Sequence, residues 1–290
     1  MKLLILGSGG QLGTDFVREA RLKGHEVIGK DYPEVDLTRR ESVMQVVKEV
    51  LPQVIVNCTA FTAVDLCEEK QVEAFALNAQ GCGFLAEAAA EHSSLLIHFS
   101  TDYVFSGQGS RPYTEEDATE PGTVYGRSKL EGERQIAAIL AKIMIFRIAW
   151  LYGVYGNNFV KSIRTIGAKC QAENKPLKVV NDQFGTPTWT VDVCRQVLKV
   201  MNTPNYGVFH CTSEGSCSWF DFAKEIIIAS GIQVEVSPCT TAEFPRPAPR
   251  PAYSVLENAR LKKLGLNIMP NWQEGFRAFL EAEKRITEQE

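Results

Sequence analysis

A tyrosine and a lysine four positions apart are well suited to chemistry on a carbonyl group. Tyr125 and Lys129 lie at the start of a predicted helix, where this spacing places both side chains on one face. A carbonyl that receives hydride becomes an alkoxide and needs a proton, which a tyrosine can donate. We expect the positive charge of Lys129 to lower the pKa of the Tyr125 phenol. An ordinary contact on a helix surface is the alternative.

Three glycines point to a nucleotide. Gly7, Gly10 and Gly13 follow the first predicted strand and precede the first helix, where missing side chains let a pyrophosphate approach the helix N-terminus. The alternative is a close strand-helix contact that needs small residues. Asp31 follows the second strand and could bind the ribose hydroxyls of NAD. It would repel the extra phosphate of NADP, and Lys30 could offset that repulsion, so the cofactor preference stays open.

A third polar group follows the strand predicted over residues 95–99. Ser100, Thr101 and Asp102 stand at its carboxyl end. In a doubly wound sheet, ligands bind outside the carboxyl ends of the strands. We therefore expect the glycine turn, this Ser-Thr-Asp segment and the Tyr-Lys helix to converge on one crevice.

The elements that must position these groups alternate along the chain. Short apolar runs predict strands over residues 2–6, 26–29, 54–56, 95–99 and 143–148. Helical spacing predicts helices over 11–23, 41–50, 72–90 and 126–141. This alternation indicates an α/β fold, a doubly wound, Rossmann-like parallel sheet.

The pattern loosens after residue 150, which predicts a smaller C-terminal substrate-binding lobe. Helices are expected over 159–172, 191–201, 258–264 and 272–282, the last before a frayed charged tail. An isolated strand is expected over 177–180, a return to the sheet over 208–210, and an extended segment over the proline-rich residues 244–251. We assign residues 1–149 with 188–212 to a dinucleotide-binding domain, and 150–187 with 213–290 to the substrate-binding lobe.

Composition excludes several classes of protein. The chain has 290 residues, 44% of them hydrophobic, and a net charge of −4, which gives no reason to expect nucleic acid or an anionic membrane as partner. No apolar run approaches the roughly 18 residues of a membrane span. The eight cysteines form no Cys-x-x-Cys pair, so we expect unpaired thiols and a cytoplasmic location. The four histidines do not cluster, and we predict no metal site.

With these motifs the chain resembles the extended branch of the short-chain dehydrogenase/reductase superfamily, and within it the dTDP-4-dehydrorhamnose reductase family. The blocks that carry the narrower resemblance run from the glycine turn to beyond residue 250. They are Gly10-Gln-Leu-Gly13, Asn57-Cys-Thr-Ala-Phe-Thr-Ala-Val-Asp65, Ser100-Thr-Asp-Tyr-Val-Phe105, Phe146-Arg-Ile-Ala-Trp-Leu-Tyr152, Asn181-Asp-Gln-Phe-Gly-Thr-Pro-Thr188 and Arg250-Pro251.

The resemblance implies roles for individual residues. Thr101 would hydrogen-bond the sugar carbonyl, Tyr125 would protonate it, and Lys129 would hold the nicotinamide ribose. Asp102, Trp150 and Arg250 would contact the substrate. The implied cofactor contacts are Gly7, Gly10, Gln11, Leu12, Gly13, Asp31, Asp36, Leu37, Ala60, Thr62, Tyr125 and Lys129.

Some positions keep a plainer alternative. Trp150 could be a core aromatic, and Arg246 and Arg250 could be solvated loop residues rather than a diphosphate clamp. Tyr253 stands where the family usually has Asn, which puts the role of that position in doubt. Some relatives dimerise through magnesium held by carboxylates, and Asp15 is the only nearby acid on the first helix that could match. We do not carry this metal over to the chain, and a homodimer and bound magnesium stay open.

The leading hypothesis is an enzyme that uses NADPH or NADH to reduce the C4 ketone of dTDP-4-dehydro-L-rhamnose, giving dTDP-L-rhamnose. Related ketoreductases and epimerases of other nucleotide sugars share the same catalytic parts, so they are the first alternative. The second is a regulatory subunit that binds nucleotide without turnover, since the regulatory subunit of methionine adenosyltransferase resembles the same family.

Overall fold

The computed structural model describes residues 1–288 and is built around a parallel β-sheet. The strands of the described chain are β1 (Lys2–Leu6), β2 (Glu26–Lys30), β3 (Val54–Asn57), β4 (Leu95–Thr101), β5 (Ile143–Ile148), β6 (Leu151–Tyr152), β7 (Leu177–Val180), β8 (Phe184–Gly185), β9 (Thr188–Trp189), β10 (Gly207–His210), β11 (Cys217–Ser218) and β12 (Val236–Cys239).

The helices are α1 (Gln11–Leu22), α2 (Arg40–Val50), α3 (Val64–Glu69), α4 (Gln71–Phe75), α5 (Gly81–Glu91), α6 (Val124–Ile139), α7 (Phe159–Ala172), α8 (Thr190–Val200), α9 (Trp219–Ala229), α10 (Ala259–Lys263) and α11 (Trp272–Thr287). A π-helical segment, Ala76–Gln80, joins α4 to α5, and 3₁₀ turns cover Asp102–Val104 and Thr241–Glu243.

Six strands form the central sheet in the order β10-β5-β4-β3-β1-β2, and all neighbours are parallel. The chain leaves β1 for β2 on one side and returns to β3 on the other, so the strand order reverses between β1 and β3. In open α/β sheets, ligands bind at this reversal, outside the carboxyl ends of the strands. The expected doubly wound fold is confirmed.

Helices cover both faces of the sheet, which explains why its central strands are apolar throughout. Leu3 and Ile5 face one core, which contains residues from α1 and α8, and Leu4 and Leu6 face the other, which contains residues from α2 and α5. All four side chains are fully buried. Strands buried on both faces lose the alternation of apolar and polar residues, as this run does.

A separate aromatic core lies beyond the sheet. Tyr152, Phe222, Phe276 and Phe279 pack together at ring-centroid distances of 5.2–6.0 Å, largely edge to face. They come from β6, α9 and α11, which lie within the residues that the sequence assigned to the smaller lobe. The exact division into residues 1–149 with 188–212 and 150–187 with 213–290 stays a prediction.

The sequence analysis missed α9 altogether. Ser218 caps this helix in a capping box: its hydroxyl accepts from the backbone N–H of Asp221, and the Asp221 carboxylate accepts from the N–H of Ser218. Such a Ser-x-x-Asp signature before an apolar run was readable. The expectation that Leu177–Val180 is isolated was also wrong, because this strand pairs in parallel with Val236–Cys239.

The helix expected over 72–90 is present and begins at Gln71, but it passes through a π-helical segment, and a separate short helix, α3, precedes it. In the π-helical segment Asn78 turns inward: its Oδ1 accepts from the backbone N–H of Phe61, and its Nδ2 donates to Phe61 O and Ser128 Oγ. The last helix continues to Thr287, so most of the expected frayed tail is helical, and residues 289–290 of that tail lie outside the described residues.

Candidate active site

A cavity of about 1220 Å³ lies at the carboxyl ends of β1, β3 and β4. The glycine turn, the Ser-Thr-Asp segment and the start of α6 all reach its wall, as the sequence predicted. The predicted site residues that line it are Gly10, Gln11, Leu12, Ala60, Thr62, Thr101, Asp102, Tyr125, Lys129, Trp150 and Arg250.

Gly7 and Gly13 lie behind the cavity wall and shape the turn. Gly7 has a φ of +74°, and a Cβ on Gly13 would lie 2.0 Å from the carbonyl oxygen of Gly7. Only a residue without a side chain permits this approach. The N–H of Gly10 donates to Gly7 O, so the turn closes and presents the N-terminus of α1 to the cavity.

Three further residues that were predicted to contact the cofactor do not line the cavity. Asp31 accepts the backbone N–H of Gly9, which ties it to the glycine turn. Asp36 accepts from the N–H and hydroxyl of Thr38, which lowers the pKa of its carboxyl. Leu37 is buried in the core with residues of α2 and α5. Their assignment to the cofactor stays a prediction.

Thr101 and Asp102 form the polar floor of the cavity. The Thr101 hydroxyl donates to Asp102 Oδ1 at 2.9 Å, and both residues are buried. Asp102 Oδ2 is buried and has no hydrogen-bond partner within residues 1–288. Burial raises the pKa of the Asp102 carboxyl to about 6, against the influence of the nearby Ser254 and Thr101 hydroxyls, which lower it.

We expect Asp102→Asn to make the protein more stable at pH 8 and to change little at pH 4. The folded-state pKa is raised to about 6 from an ordinary 3.8, so wild-type stability falls as pH rises between these values. Two pKa units correspond to about 3 kcal/mol. The protonated carboxyl and the amide each leave one donor without a partner at this position, so the two proteins should match at pH 4 and the variant should be more stable by about 2–3 kcal/mol at pH 8.

Urea denaturation of both proteins at the two pH values measures this difference. The measurement at pH 4 is the internal control, because wild-type Asp102 is then largely protonated in the folded protein. A gain of equal size at both pH values would contradict a burial penalty on the charged carboxylate.

Tyr125 is half-buried on the cavity wall, which Thr101 also lines. Its ring meets that of Tyr103 edge to face at 5.5 Å. Burial raises the pKa of this phenol, and Asp102 acts in the same direction, whereas Thr101 lowers it. The phenol therefore keeps its proton at neutral pH. A lowering of this pKa by Lys129 together with a bound nicotinamide stays a prediction.

Lys129 lies one turn farther along α6 and is 2% exposed. Its Nζ donates to the carbonyl of Phe99 at 2.7 Å and lies 3.2 Å from His98 Nε2. Burial lowers the pKa of the amine, while the nearby Glu133 carboxylate acts in the opposite direction.

An indole pair forms another part of the wall. Trp150 has a φ of +48° and stacks on Trp219 with ring centroids 3.3 Å apart and planes 4° apart. A Cβ on Gly185 would lie 2.2 Å from the Trp150 ring, so glycine is required there. Trp150 is thus half-buried on the wall rather than enclosed in the core.

The proline-rich segment 244–251 covers one side of the cavity. Arg250 donates to Asp65 Oδ2 at 2.7 Å, and the N–H of Ala248 donates to Asp65 Oδ1. This pairing lowers the pKa of the Asp65 carboxyl. Arg246 also lines the cavity and has no hydrogen bond or ion pair within the described chain.

The remaining doubtful positions lie away from the cavity. Tyr253 donates its backbone N–H to Gly107 O and does not line the wall. Asp15 is 2% exposed, and its carboxylate accepts from the hydroxyl of Thr190. No group of three or more His, Cys, Asp or Glu side chains within residues 1–288 is arranged to hold a metal. The same residues include no helix long and apolar enough to cross a membrane.

Sequence reasoning missed several residues at this site. Asp65 had a readable signal, because it ends the block that follows β3 and a carboxylate there can hold an arginine of the proline-rich segment. Trp219 follows the capping serine of the missed helix α9. Ser254, which lines the cavity near Asp102, and His98, which contacts Lys129, carry no local signal, since these neighbours are distant in sequence.

Comparisons with known proteins agree on one family. The family model described as "RmlD substrate binding domain" matches residues 1–285. A dTDP-4-dehydrorhamnose reductase of Aggregatibacter actinomycetemcomitans is 38% identical over 94% of this chain and 96% of its own length. The chain belongs to the dTDP-4-dehydrorhamnose reductase family. The family and superfamily expected from the sequence are thereby confirmed.

Other members and structural neighbours fit this membership. The spore coat polysaccharide biosynthesis protein SpsK of Bacillus subtilis is 36% identical over 97% of both chains. The crystal structure of a dTDP-4-dehydrorhamnose reductase from Clostridium acetobutylicum has a TM-score of 0.94 and 46% identity, covering 98% of this chain and all of that one. The Bacillus anthracis reductase, solved with NADP, has a TM-score of 0.92 and 37% identity, covering 97% and 99%.

Proposed function

We propose that this chain uses NADPH or NADH to reduce the C4 ketone of dTDP-4-dehydro-L-rhamnose to dTDP-L-rhamnose. The observation that carries this proposal is the meeting of Thr101, Tyr125 and Lys129 on one cavity with the glycine turn, in a member of this reductase family. Residues 1–149 with 188–212 would bind the dinucleotide, and 150–187 with 213–290 the sugar nucleotide.

The glycine turn suits the pyrophosphate of a dinucleotide. Gly10, Gln11 and Leu12 present the first turn of α1 to the cavity, where backbone N–H groups and the helix dipole favour an anion. Ala60 and Thr62 continue the wall after β3. When bound, the reduced nicotinamide supplies hydride to the ketone.

Tyr125 would donate the proton that the reduced carbonyl requires. Its phenol keeps the proton at neutral pH because burial raises its pKa, and a general acid must carry its proton when the reaction begins. Thr101 would orient the carbonyl through its hydroxyl, which can both donate and accept. Lys129 would hold the nicotinamide ribose through its amine.

The remaining wall suits a deoxysugar attached to a diphosphate. The Trp150 indole offers an apolar face to the ring, and the unpartnered Oδ2 of Asp102 can accept a sugar hydroxyl. Arg246 and Arg250 could bind the diphosphate. The Arg250 guanidinium would then contact both Asp65 and the substrate. Arg246 makes no hydrogen bond or ion pair in the described chain that substrate binding would have to break.

We expect Gly185→Ala to raise KM for the sugar nucleotide about 10-fold or more, since displaced pocket walls cost about 1–3 kcal/mol of binding. The new methyl would overlap the Trp150 ring and push it toward the sugar. The Kd for NADPH should stay unchanged. Steady-state kinetics and cofactor titration measure the two quantities. Gly122→Ala is the matched control, because a Cβ there meets nothing within 4 Å. If the KM for the sugar nucleotide equals that of wild type, the proposed contact between Trp150 and the sugar is contradicted.

Two observations favour different dinucleotides as the cofactor. Lys30 donates to Glu34 at 2.6 Å, so it is not free to offset the charge of Asp31 against an extra phosphate, which favours NADH. The NADP bound to the Bacillus anthracis relative favours NADPH. Comparing kcat/KM for the two measures the preference.

The proposal also includes the cellular location and the oligomeric state of the protein. Eight unpaired cysteines suit a reducing compartment, and we place the reaction in the cytoplasm. A homodimer and the absence of nucleic-acid binding stay predictions. Sedimentation of the purified chain measures the oligomeric state.

The decisive experiment incubates the purified chain with dTDP-4-dehydro-L-rhamnose and each reduced cofactor. We expect one cofactor to be oxidised per sugar reduced and dTDP-L-rhamnose to form, which NMR identifies. An epimerase would regenerate its dinucleotide and show no net consumption. A regulatory subunit would bind nucleotide, consume none and copurify with a synthetase. Either result would replace the proposed function.

A further inference from the structure

The short helix α3 carries two carboxylates, and each holds a different wall of the cavity. Asp65 and Glu68 are three positions apart, so their side chains are neighbours on the helix surface. Glu68 Oε1 accepts the backbone N–H of Val124, the first residue of α6, at 2.9 Å. The Asp65 carboxylate accepts from Arg250 and from the N–H of Ala248 in the proline-rich segment. Helix α3 is therefore bonded to α6 and to that segment.

Glu68 provides a partner for a donor that α6 cannot satisfy by itself. The first N–H groups of an α-helix have no carbonyl partner within the helix. In α6 the hydroxyl of the N-cap residue Thr123 accepts from the N–H of Gly126, and Glu68 accepts from that of Val124. A carboxylate at this end also interacts favourably with the helix dipole. The first turn of α6 is thus fixed by its own cap and by α3.

This first turn carries Tyr125, which directly follows Val124. The Tyr125 ring packs against a small apolar cluster formed by Cys67 of α3, Ala74 of α4 and Val124, all three of them fully buried. A shift of α3 relative to α6 would therefore move both the backbone that carries Tyr125 and the surface on which its ring rests. Glu68 joins the two helices by a hydrogen bond at this place.

Asp65 ties the same helix to the opposite wall. Its Oδ2 accepts from Arg250 Nη2 at 2.7 Å, and its Oδ1 accepts from the N–H of Ala248 at 3.2 Å. Arg250 Nη1 also donates to the carbonyl of Ala248 at 2.9 Å, so carboxylate, guanidinium and backbone form a closed set of hydrogen bonds. Ala248 is 1% exposed. The proline-rich segment is therefore fixed to α3 where it covers the cavity.

We propose that Glu68 is a positioning residue for Tyr125, and that Asp65 fixes the proline-rich segment at a set distance from it through the same helix. The inference rests on the proposed function in one respect, because it takes Tyr125 to meet the ketone of a sugar whose diphosphate lies near Arg250. Both side chains then act on one molecule, so their separation must match its length. The two carboxylates of α3 set this separation.

Glu68→Leu tests the bond to α6 without any measurement of activity. Leucine is a good helix former and has no acceptor, so the Val124 N–H loses its partner. We expect its hydrogen exchange to become about 10-fold faster, measured by NMR on the ¹⁵N-labelled chain without ligands. Glu68→Gln keeps an oxygen and should exchange as wild type does. Glu69→Leu is the matched control, because Glu69 is exposed and makes no hydrogen bond or ion pair in the described chain.

The same variants should differ in kcat for ketosugar reduction. We expect Glu68→Leu to lower kcat about 10-fold or more, because a small displacement of a reacting group is costly. Glu68→Gln should stay within about three-fold of wild type, since an amide oxygen accepts as a carboxylate oxygen does. The Kd for NADPH should not change, because Lys129 keeps its own bond to Phe99 O. Recovery by glutamine would show that the hydrogen bond, and not the charge, places Tyr125.

Asp65→Asn tests the bond to the proline-rich segment. The amide sets an N–H group against either Arg250 or the Ala248 N–H, so the segment is released. We expect the KM for the sugar nucleotide and the Kd for dTDP, measured by titration calorimetry, to rise about 10-fold, with kcat little changed. Removing a negative charge alone would instead tighten dTDP binding, so a lower Kd would contradict the positioning role. Asp117→Asn is the matched control, because it breaks a similar pair with Arg111 at a residue that does not line the cavity.

These measurements separate the outcomes. Faster Val124 exchange with a lower kcat in Glu68→Leu, both restored in Glu68→Gln, supports the role of Glu68. Unchanged exchange contradicts the bond to α6, and faster exchange with the kcat of wild type contradicts the link to Tyr125. If Glu68→Leu does not fold, Glu68→Asp, one methylene shorter, gives the same two measurements. If the wild type reduces no ketosugar, the proposed function fails, whereas Val124 exchange and dTDP binding still test the two bonds of α3.

Discussion

Replacing Tyr125 with phenylalanine should lower kcat for ketosugar reduction by about 10²–10⁴-fold, the usual worth of a positioned general acid. The substitution removes only the hydroxyl. The ring keeps its edge-to-face contact with Tyr103, and α6 keeps its N-cap at Thr123, so the fold and the cofactor site stay intact. Single-turnover oxidation of bound NADPH by dTDP-4-dehydro-L-rhamnose measures the chemical step without product release.

Tyr152→Phe is the matched control for this loss. Tyr152 is fully buried in the aromatic core, and its hydroxyl has no hydrogen-bond partner within residues 1–288, so the same deletion there should leave kcat unchanged. Binding of NADPH by Tyr125→Phe should match that of wild type. Turnover within a few-fold of wild type would mean that another group delivers the proton, and Thr101 would be the first to test.

The residues that the sequence placed well are those whose position depends on local structure. Gly7 and Gly13 had to lie between a strand and a helix, because only glycines permit the close approach found there. Tyr125 and Lys129 had to share a helix face because of their spacing. Once the alternation of strands and helices predicted a doubly wound sheet, the sheet itself brought Thr101 to the same edge.

What the sequence could not show depends on contacts between distant segments. The pairing of Leu177–Val180 with Val236–Cys239 joins residues far apart in the chain, with no local pattern to mark it. The environment of Lys129 is a similar case. Its two partners, the His98 imidazole and the Phe99 carbonyl, lie on β4, about 30 positions earlier in the chain, and no local pattern links them to Lys129.

Arg147→Met should lower the free energy of unfolding by about 3–5 kcal/mol, because removing one partner of a buried ion pair leaves the other charge uncompensated. Arg147 on β5 donates to both oxygens of Glu133 on α6, at 3.0 and 2.7 Å. Both side chains are 6% exposed, so solvent screens the pair little. Since α6 carries Tyr125 and Lys129, this pair also holds the catalytic helix against the sheet. Urea denaturation followed by circular dichroism measures the loss.

Two further variants separate the buried charge from the loss of the arginine side chain. Arg134→Met, on the solvent side of α6, removes an exposed pair with Glu131 and should change stability by less than about 0.5 kcal/mol. The double variant Glu133→Leu with Arg147→Met removes both buried charges, and it should regain most of the stability because apolar groups can replace a buried pair at little cost. If the double variant stayed as unstable as Arg147→Met, the loss would come from the packing of the arginine stem and from its contact with the Phe105 ring at 5.2 Å, not from an unpaired Glu133.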